Sequence, residues 1–177
     1  MNMKGLILYK SKYGSTKKYA DWLREATGFD CLETKSARVQ EVAAYDAVVL
    51  CGGVYAGGVA GLSFLKKHAA QLAGKRLAVL AVGASPSDPA MLEQCRAMHF
   101  KGDMAQVPLF YARGAWDVAK MKPMDRLLCG MLRKAVQGKA GEQVEPWMAA
   151  LMQAGDDACD WTDPAQLEPL LDWLKAE

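Results

Sequence analysis

The chain is predicted to be a single α/β domain, spanning residues 1–177, with five parallel strands in a doubly wound sheet of order 2-1-3-4-5. Three observations support this fold class. Short apolar runs alternate along the chain with segments of helical periodicity. The runs at residues 6–9 and 46–52 place apolar side chains at consecutive positions, which is typical of strands buried on both faces. Loops rich in glycine and serine follow the first, third and fourth runs, at the edge where such a sheet binds ligands.

The first strand and the first helix are joined by a loop of small and hydroxylic residues. Residues 6–9 form the strand, and apolar residues recur at helical spacing after Gly14 until Gly28 ends the helix. The loop, residues 11–16 (SKYGST), faces the unpaired N–H groups and the positive dipole end of that helix, which favours an anion. It is neither a Walker loop nor GxGxxG. Helix capping by its hydroxyls is the alternative interpretation.

The next part of the chain supplies two strands and one helix. Residues 29–34 alternate in polarity and predict the second strand, and residues 46–52 predict a central third strand. The third strand runs into GGVYAGG, residues 52–58, which surrounds a single Tyr55. Helical spacing then extends over residues 62–72.

The fourth strand is predicted at residues 76–83 and leads into the loop ASPSDP at residues 84–89. The Asp-Pro pair that closes this loop predicts an N-cap followed by proline at the first helical position, and an apolar stripe covers residues 91–98. Residues 107–112 predict the fifth strand. Pro108 indicates that this strand begins at a sheet edge.

The last third of the chain predicts an additional amphipathic helix before the C-terminal helix. From Lys122 to Val136 apolar residues recur at the spacing of one helix face. Residues 144–154 predict a further helical segment. The terminal helix is expected to start at an Asp-Pro pair at 163–164, and Pro169 predicts a kink or a later helix start.

Composition excludes several classes of protein. Apolar residues make up 51% of the chain, and none of the five cysteines forms a CxxC pair, so neither a disulfide framework nor a zinc site is supported. The N-terminus shows no secretory signal pattern and no apolar run is long enough to cross a membrane. We therefore expect a cytoplasmic protein. His68 and His99 are isolated in the sequence, so no catalytic side chain and no metal site are assigned.

The three loops after strands 1, 3 and 4 should meet at one edge of the sheet. The first offers an anion site, the second a glycine backbone beside an aromatic side chain, and the third serine hydroxyls. The candidate binding residues are Ser11, Lys12, Tyr13, Gly14, Ser15 and Thr16, then Gly53, Val54, Tyr55, Ala56, Gly57 and Gly58, and then Gly83, Ala84, Ser85, Pro86 and Ser87. A small flat cofactor with one phosphate would use all three loops. In the alternative interpretation Tyr55 packs against a helix and the glycines only form turns.

The first loop resembles the flavodoxin phosphate loop, T-x-T-G-x-T, at Ser11, Gly14 and Thr16, with Tyr13 in place of the middle threonine. GGVYAGGVAGLSFLKKHA, the basic helix with MDRLL and the terminal helix after WTD resemble most closely the bacterial flavodoxin-domain proteins that include menaquinone-dependent protoporphyrinogen oxidase. The loop GASPSDP lacks the basic cluster of that oxidase branch. The resemblance implies FMN, with the first loop on its phosphate and the other two beside the isoalloxazine ring.

The resemblance further implies an FMN-dependent oxidoreductase that moves electrons between a small organic substrate and a quinone or a redox partner protein. One alternative is a flavodoxin-type electron carrier, although the net charge of +2 is less acidic than such a carrier would have. The other is a binding module without FMN, which Tyr13 in the phosphate loop would favour. No nucleic-acid partner is expected, because no stacking aromatic residues or known motif accompany the basic groups.

The predicted helix that starts at Lys122 lies in the most basic part of the chain. Residues 113–139 carry a net charge of +5, whereas residues 140–177 carry −8. One interpretation is that its apolar stripe packs on the sheet while the charges face solvent, as in most amphipathic helices. The other is that the helix docks on a redox partner or on the inner face of a membrane, where it would bring the flavin to a quinone.

Overall fold

The computed structural model describes residues 3–55, 57–138, 149, 152–153, 155 and 157–176. Its five parallel strands are β1 (Gly5–Lys10), β2 (Asp30–Glu33), β3 (Ala47–Tyr55), β5 (Arg76–Gly83) and β6 (Leu109–Arg113). Their order is β2-β1-β3-β5-β6, and β4 (Gly58–Val59) pairs antiparallel with β3. The predicted order of parallel strands is therefore confirmed. Two short strands, β7 (Ala115–Trp116) and β8 (Cys159–Asp160), form a separate ladder.

Helices cover both faces of the sheet. They are α1 (Ser15–Thr27), α2 (Val39–Val42), α3 (Leu62–Lys67), α4 (Pro89–His99), α5 (Pro123–Gln137) and α6 (Glu168–Lys175). Short 3₁₀ turns lie at Thr34–Ser36, Gly102–Met104, Val118–Lys120 and Pro164–Leu167. In the described part of the chain, none of the helices has the length and apolarity needed to cross a membrane.

The core consists of two layers that share the strands. Leu8 and Leu50 face the layer that contains Leu65, whereas Ile7 faces the opposite layer with Leu170. This alternation follows from the two-residue period of a strand, so a continuously apolar strand supplies both layers. Each fully buried Leu or Ile contributes about 1.5–3 kcal/mol. The two layers confirm the doubly wound arrangement.

Strand β3 is longer than its prediction. It continues past Gly52 to Tyr55 and folds back into β4, so the predicted end of the strand at Gly52 is wrong. Glycine there is not a loop signal: a Cβ on Gly52 would lie 2.2 Å from the backbone oxygen of Ala60. The close approach of the returning chain requires glycine inside the strand.

The predicted ends of the other elements are confirmed in some cases and wrong in others. Gly28 adopts a left-handed conformation with φ of 71° and closes α1 as predicted. The terminal helix begins at Glu168 after a 3₁₀ turn, so Pro169 lies in its first turn, as the later-start prediction required. The predicted length of helix α3 is wrong, because residues 68–73 form turns rather than helix. The predicted helical segment 144–154 falls largely outside the described residues.

Helix α5 does not pack its apolar stripe on the sheet. Five of its large apolar residues are 42–66% exposed: Met124, Leu127, Leu128, Met131 and Leu132. Val136 is its one buried residue. The interpretation of this helix as an ordinary core element is therefore wrong. An amphipathic pattern predicts which residues share a helix face, but it does not predict whether that face contacts the protein core, solvent or another surface.

Candidate functional site

Three loops meet at the carboxyl edge of the sheet, as the sequence predicts. Lys10 pairs with Gly52, Gly53 with Val82, and Gly83 with Arg113, so the strands that precede the loops end side by side. The convergence is a direct result of the parallel register. The role of these residues in binding stays a prediction.

The first loop leaves the start of α1 uncapped. Gly14 has a φ of 102° and precedes the helix directly, and no side chain accepts a hydrogen bond from the first turn. Ser15 and Thr16 therefore do not cap the helix. The backbone N–H groups of the first turn remain available to an anion, and the helix dipole favours negative charge there. Thr16, the buried polar residue of the described core, lies in this turn.

The serines of this loop fix its shape. Ser11 Oγ accepts a hydrogen bond from Gly14 N at 3.1 Å, and Ser15 Oγ accepts one from Ala115 N at 3.1 Å. A Cβ on Gly114 would lie 3.2 Å from Ser15 Cβ, so the segment after β6 passes close to the loop. Each hydroxyl uses an acceptor lone pair in these bonds and keeps its own proton to donate.

Lys12 and Tyr13 are both held by Asp125, in the first turn of α5. Lys12 forms an ion pair with the Asp125 carboxylate, and the Tyr13 hydroxyl donates a hydrogen bond to the same group. Lys122 N donates to Tyr13 Oη at 3.2 Å. The Lys12 ammonium, and then the Tyr13 hydroxyl, lower the pKa of Asp125, and the carboxylate in turn raises the pKa of Lys12.

Sequence reasoning missed Asp125 as a site residue. Its signal is present: it is the lone acidic residue of a helix that carries Arg126, Arg133 and Lys134. The pairing joins residues 112 apart in sequence, which no local pattern reports.

The second loop is a tight hairpin with an aromatic side chain at its rim. Tyr55 pairs with Gly58. Gly57 adopts a φ of 77°, a left-handed conformation that glycine reaches without steric cost. The Tyr55 ring folds back over Gly53, where a Cβ would lie 2.7 Å from ring atoms. The side chain is 40% exposed, and partial burial raises the pKa of Tyr55. Ala56 lies outside the described residues.

Lys12 connects the first two loops, because its Nζ lies 5.7 Å from the centroid of the Tyr55 ring. His99 contacts the same hairpin, with Nε2 3.0 Å from the carbonyl oxygen of Gly57. The tip of the second loop is therefore held on one side by the end of α4.

The third loop is supported by β6. The Tyr111 hydroxyl donates to Ser85 O at 2.7 Å, and Arg113 Nε donates to Ala84 O at 3.0 Å. Burial raises the pKa of Tyr111, which keeps that hydroxyl a donor. Gly83 is required here, since a Cβ would lie 2.6 Å from Tyr111 Oη. Sequence reasoning did not select Tyr111 and Arg113, although Tyr111 lies near the end of the predicted fifth strand and Arg113 directly follows it.

Pro86 and Ser87 complete the third loop, and Asp88 then caps α4 by accepting from Ala90 N at 2.9 Å. Val54 lies within β3 and is partly buried against the core. The binding role assigned to Val54, Pro86 and Ser87 stays a prediction. The predicted cap at Asp88 is confirmed.

The residues at this edge fit a cofactor with a phosphate and a flat ring. The first loop supplies uncapped N–H groups, hydroxyl donors and the Lys12 ammonium, which together are the donor set that a phosphate requires. Tyr55 supplies an exposed aromatic face. Asp125 is the one unfavourable group, because its carboxylate competes with an anion for Lys12.

Solved structures with related folds were found at low sequence identity. They include the two-electron reduced flavodoxin of Megasphaera elsdenii (17% identity, TM-score 0.46, 62% of this chain and 84% of that chain). Another is the Trp repressor binding protein of Bacillus subtilis (14% identity, TM-score 0.45, 70% of this chain and 88% of that chain). A third is a Lactobacillus acidophilus flavoprotein in complex with FMN (17% identity, TM-score 0.43, 63% of this chain and 92% of that chain). Curated proteins gave no match.

The decisive comparison is with a family model. The flavodoxin domain model matches residues 6–142, which include all three loops and the five parallel strands except Gly5, the first residue of β1. Family membership supports FMN as the cofactor, in agreement with the donor set of the first loop. The chain therefore belongs to the flavodoxin domain family.

Proposed function

We propose that this protein is an FMN-dependent oxidoreductase that moves electrons between a small organic substrate and a quinone or a redox partner protein. The observation that carries the proposal is the uncapped N-terminus of α1 behind the hydroxylic loop, at the same sheet edge as two further loops. When bound, FMN supplies the electron or hydride chemistry. The protein supplies binding and orientation.

Each loop has a separate task in this proposal. The N–H groups after Gly14, with Ser11 and Thr16, hold the phosphate, and Lys12 balances its charge. Tyr55 offers a stacking face worth about 0.5–1.5 kcal/mol beyond the buried area. Gly57, already at positive φ, lets the backbone of the hairpin present either its N–H or its C=O.

The net charge of +2 favours an enzyme over an acidic electron carrier of flavodoxin type. The reducing and oxidising substrates are identified by steady-state assays of the FMN-loaded protein with NAD(P)H, quinones and protoporphyrinogen. Turnover of any pair supports the proposal. Reversible one-electron reduction without turnover of any of them would instead assign the carrier function.

Phosphate recognition is tested by comparing FMN with riboflavin, which has the same ring and no phosphate. We expect FMN to bind at least about tenfold more tightly, since charge-assisted hydrogen bonds are the strongest contacts available. Thr16→Val should remove most of this preference. The matched control is Ser63→Ala, at an exposed position of α3. Equal affinity for the two flavins would contradict the assignment of the first loop.

Gly14→Val tests the backbone of the same loop. No atom lies within 4 Å of a Cβ built at Gly14, so the substitution acts through its φ of 102° and not through a clash. We expect a loss of about 1–3 kcal/mol in the free energy of unfolding and loss of FMN retention on gel filtration. Gly130→Ala, where the added Cβ also meets no atom within 4 Å, is the control and should retain FMN. Retention by both variants would show that the loop tolerates another conformation.

A further inference from the structure

Helix α5 carries an apolar stripe that no described residue buries. Met124, Leu127, Leu128, Met131 and Leu132 are all exposed, and their spacing places them along one side of the helix. Scattered exposed apolar residues need no explanation, but a contiguous row of this kind marks an interaction surface. The stripe therefore requires an occupant.

The charges near the stripe indicate what kind of partner could cover it. Lys120, Lys122, Arg126 and Lys134 are exposed on α5 or just before it, and Lys134 flanks the stripe. Lys120 is paired with Asp117, and the Arg126 guanidinium donates to carbonyl oxygens of the preceding 3₁₀ turn. The one acidic residue of α5, Asp125, is paired with Lys12 and so faces the protein. The exposed apolar stripe therefore lies in a segment, residues 113–139, whose net charge is +5.

We propose that α5 docks in the interfacial layer of a bilayer that contains anionic phospholipids. Leucine and methionine side chains enter the boundary of the acyl region, while lysine and arginine side chains contact the lipid phosphates. Self-association through this face would bring two cationic surfaces together and is disfavoured by repulsion. The 15 residues of α5 are fewer than the roughly 20 needed to span a bilayer, so the helix lies along the surface.

The attachment of α5 gives the docked protein an orientation. Asp125 binds Lys12 and Tyr13, and Arg126 Nη2 donates to Ala119 O at 2.9 Å, so the start of α5 is fixed beside the first loop. Docking through α5 then places the carboxyl edge of the sheet close to the lipid surface. A lipid-soluble electron carrier would be within reach there. This inference goes beyond the proposed function, because docking itself requires no flavin.

Vesicle sedimentation tests the proposal. Full-length protein loaded with FMN is mixed with sucrose-loaded vesicles of phosphatidylcholine, with or without phosphatidylglycerol, and the pelleted protein is measured by staining. We expect binding to the anionic vesicles at low salt, little binding to the neutral ones, and release at high salt. The double variant L127Q/M131Q should lower the partition coefficient at least tenfold. K120Q/K122Q/K134Q should lower it by about tenfold or more at low salt.

The controls change the same residue types on other elements. M98Q replaces a half-exposed methionine of α4, and K66Q/K67Q removes two exposed lysines of α3. Both controls should sediment like the unmodified protein. Because all these positions are exposed, circular dichroism should show that each variant is folded.

Three outcomes would overturn the proposal. One is the absence of sedimentation with anionic vesicles at low salt, and another is equal loss of binding in the α5 variants and the controls. The third is a dimer, detected by light scattering, that L127Q/M131Q dissociates, since a second copy would then cover the stripe. Failure of the chain to take up FMN would contradict the proposed function and leave the vesicle result unchanged.

Discussion

Lys12 contacts groups from three separate parts of the candidate site. Its Nζ is paired with Asp125 and lies 5.5 Å from the Tyr13 ring and 5.7 Å from the Tyr55 ring. The hydrogen bond that the Lys12 ammonium donates to the Asp125 carboxylate raises the pKa of Lys12, so the cation persists over the whole neutral range. The charge therefore sits between the loop assigned to the phosphate and the loop assigned to the ring.

Asp125→Asn tests whether the carboxylate competes with the cofactor. Removal of its charge frees Lys12 for the phosphate, so we expect FMN affinity to rise by about two- to fivefold, the range of an exposed ion pair. Fluorescence titration with FMN measures the change. The effect should be smaller for riboflavin.

The control for this substitution is Asp21→Asn, because Asp21 pairs with Lys17 at 2.6 Å on the exposed side of α1. We expect no change in FMN affinity. A weaker affinity in Asp125→Asn would mean that the carboxylate acts by holding the loop in shape rather than by competing for Lys12.

Two helices of the chain show how the same sequence pattern meets different environments. Helix α3 buries Leu62 and Leu65 against the sheet, whereas α5 leaves its leucines in solvent. Both helices have apolar residues at helical spacing and basic residues near the end. Only the contacts of the folded chain distinguish them.

Alanine substitution in these two helices should therefore have very different effects. Leu65→Ala removes a fully buried side chain and should cost about 2–5 kcal/mol in the free energy of unfolding. Leu128→Ala removes a side chain that is 56% exposed and should change it by less than about 0.5 kcal/mol. Urea unfolding in the absence of lipid measures both. A large loss in Leu128→Ala would show that α5 is packed in solution.

In the molecule as a whole, distant parts of the chain are tied together next to the site. Lys18 Nζ contacts Asp160 Oδ2 at 3.1 Å and Thr162 Oγ1 at 2.7 Å. The buried Tyr19 hydroxyl donates to Arg113 O at 2.6 Å and accepts from Asp163 N at 3.1 Å. The segment before the terminal helix is thus anchored to the first turns of α1.

This anchor should make stability depend on pH in a defined window. The Thr162 hydroxyl, then its backbone N–H, and then Lys18 lower the pKa of Asp160 to about 2, against about 3.9 in an unfolded chain. A lowered pKa stabilises the fold above the unfolded value, and the contribution is lost as pH falls from about 4 to 2. Because Asp160 is largely exposed, we expect less than about 1 kcal/mol.

Thr162→Val measures this contribution. The variant should be less stable than the unmodified protein at pH 7, and the difference should shrink as pH falls to about 2. Thr27→Val is the control, because the Thr27 hydroxyl donates to Leu23 O at 2.7 Å and contacts no acid. Its effect should not vary over the same range. Chemical unfolding at several pH values measures the stability difference of each variant from the unmodified protein. A difference for Thr162→Val that stays constant with pH would contradict the linkage.

Much of the fold was predictable because its determinants are local. The succession of strands and helices follows from alternating periods, and right-handed crossovers then give the strand order. Gly28 and Asp88 end and start their helices through contacts within a few residues. The β3–β4 hairpin and the Asp125 pairing depend on approaches between distant segments, so no local pattern reports them. The environment of the α5 stripe was left open by the sequence for another reason: a core and a lipid surface select the same apolar periodicity.

The link between Lys18 and Asp160 has a consequence for synthesis on the ribosome. The two residues are 142 positions apart, so at about 5–20 residues per second the second is made on the order of ten seconds after the first. During that interval the turn at residues 11–16 lacks the contacts that Lys18 makes with Asp160 and Thr162 and that Tyr19 makes with Asp163. The turn reaches its final surroundings only after residues 160–163 have been made.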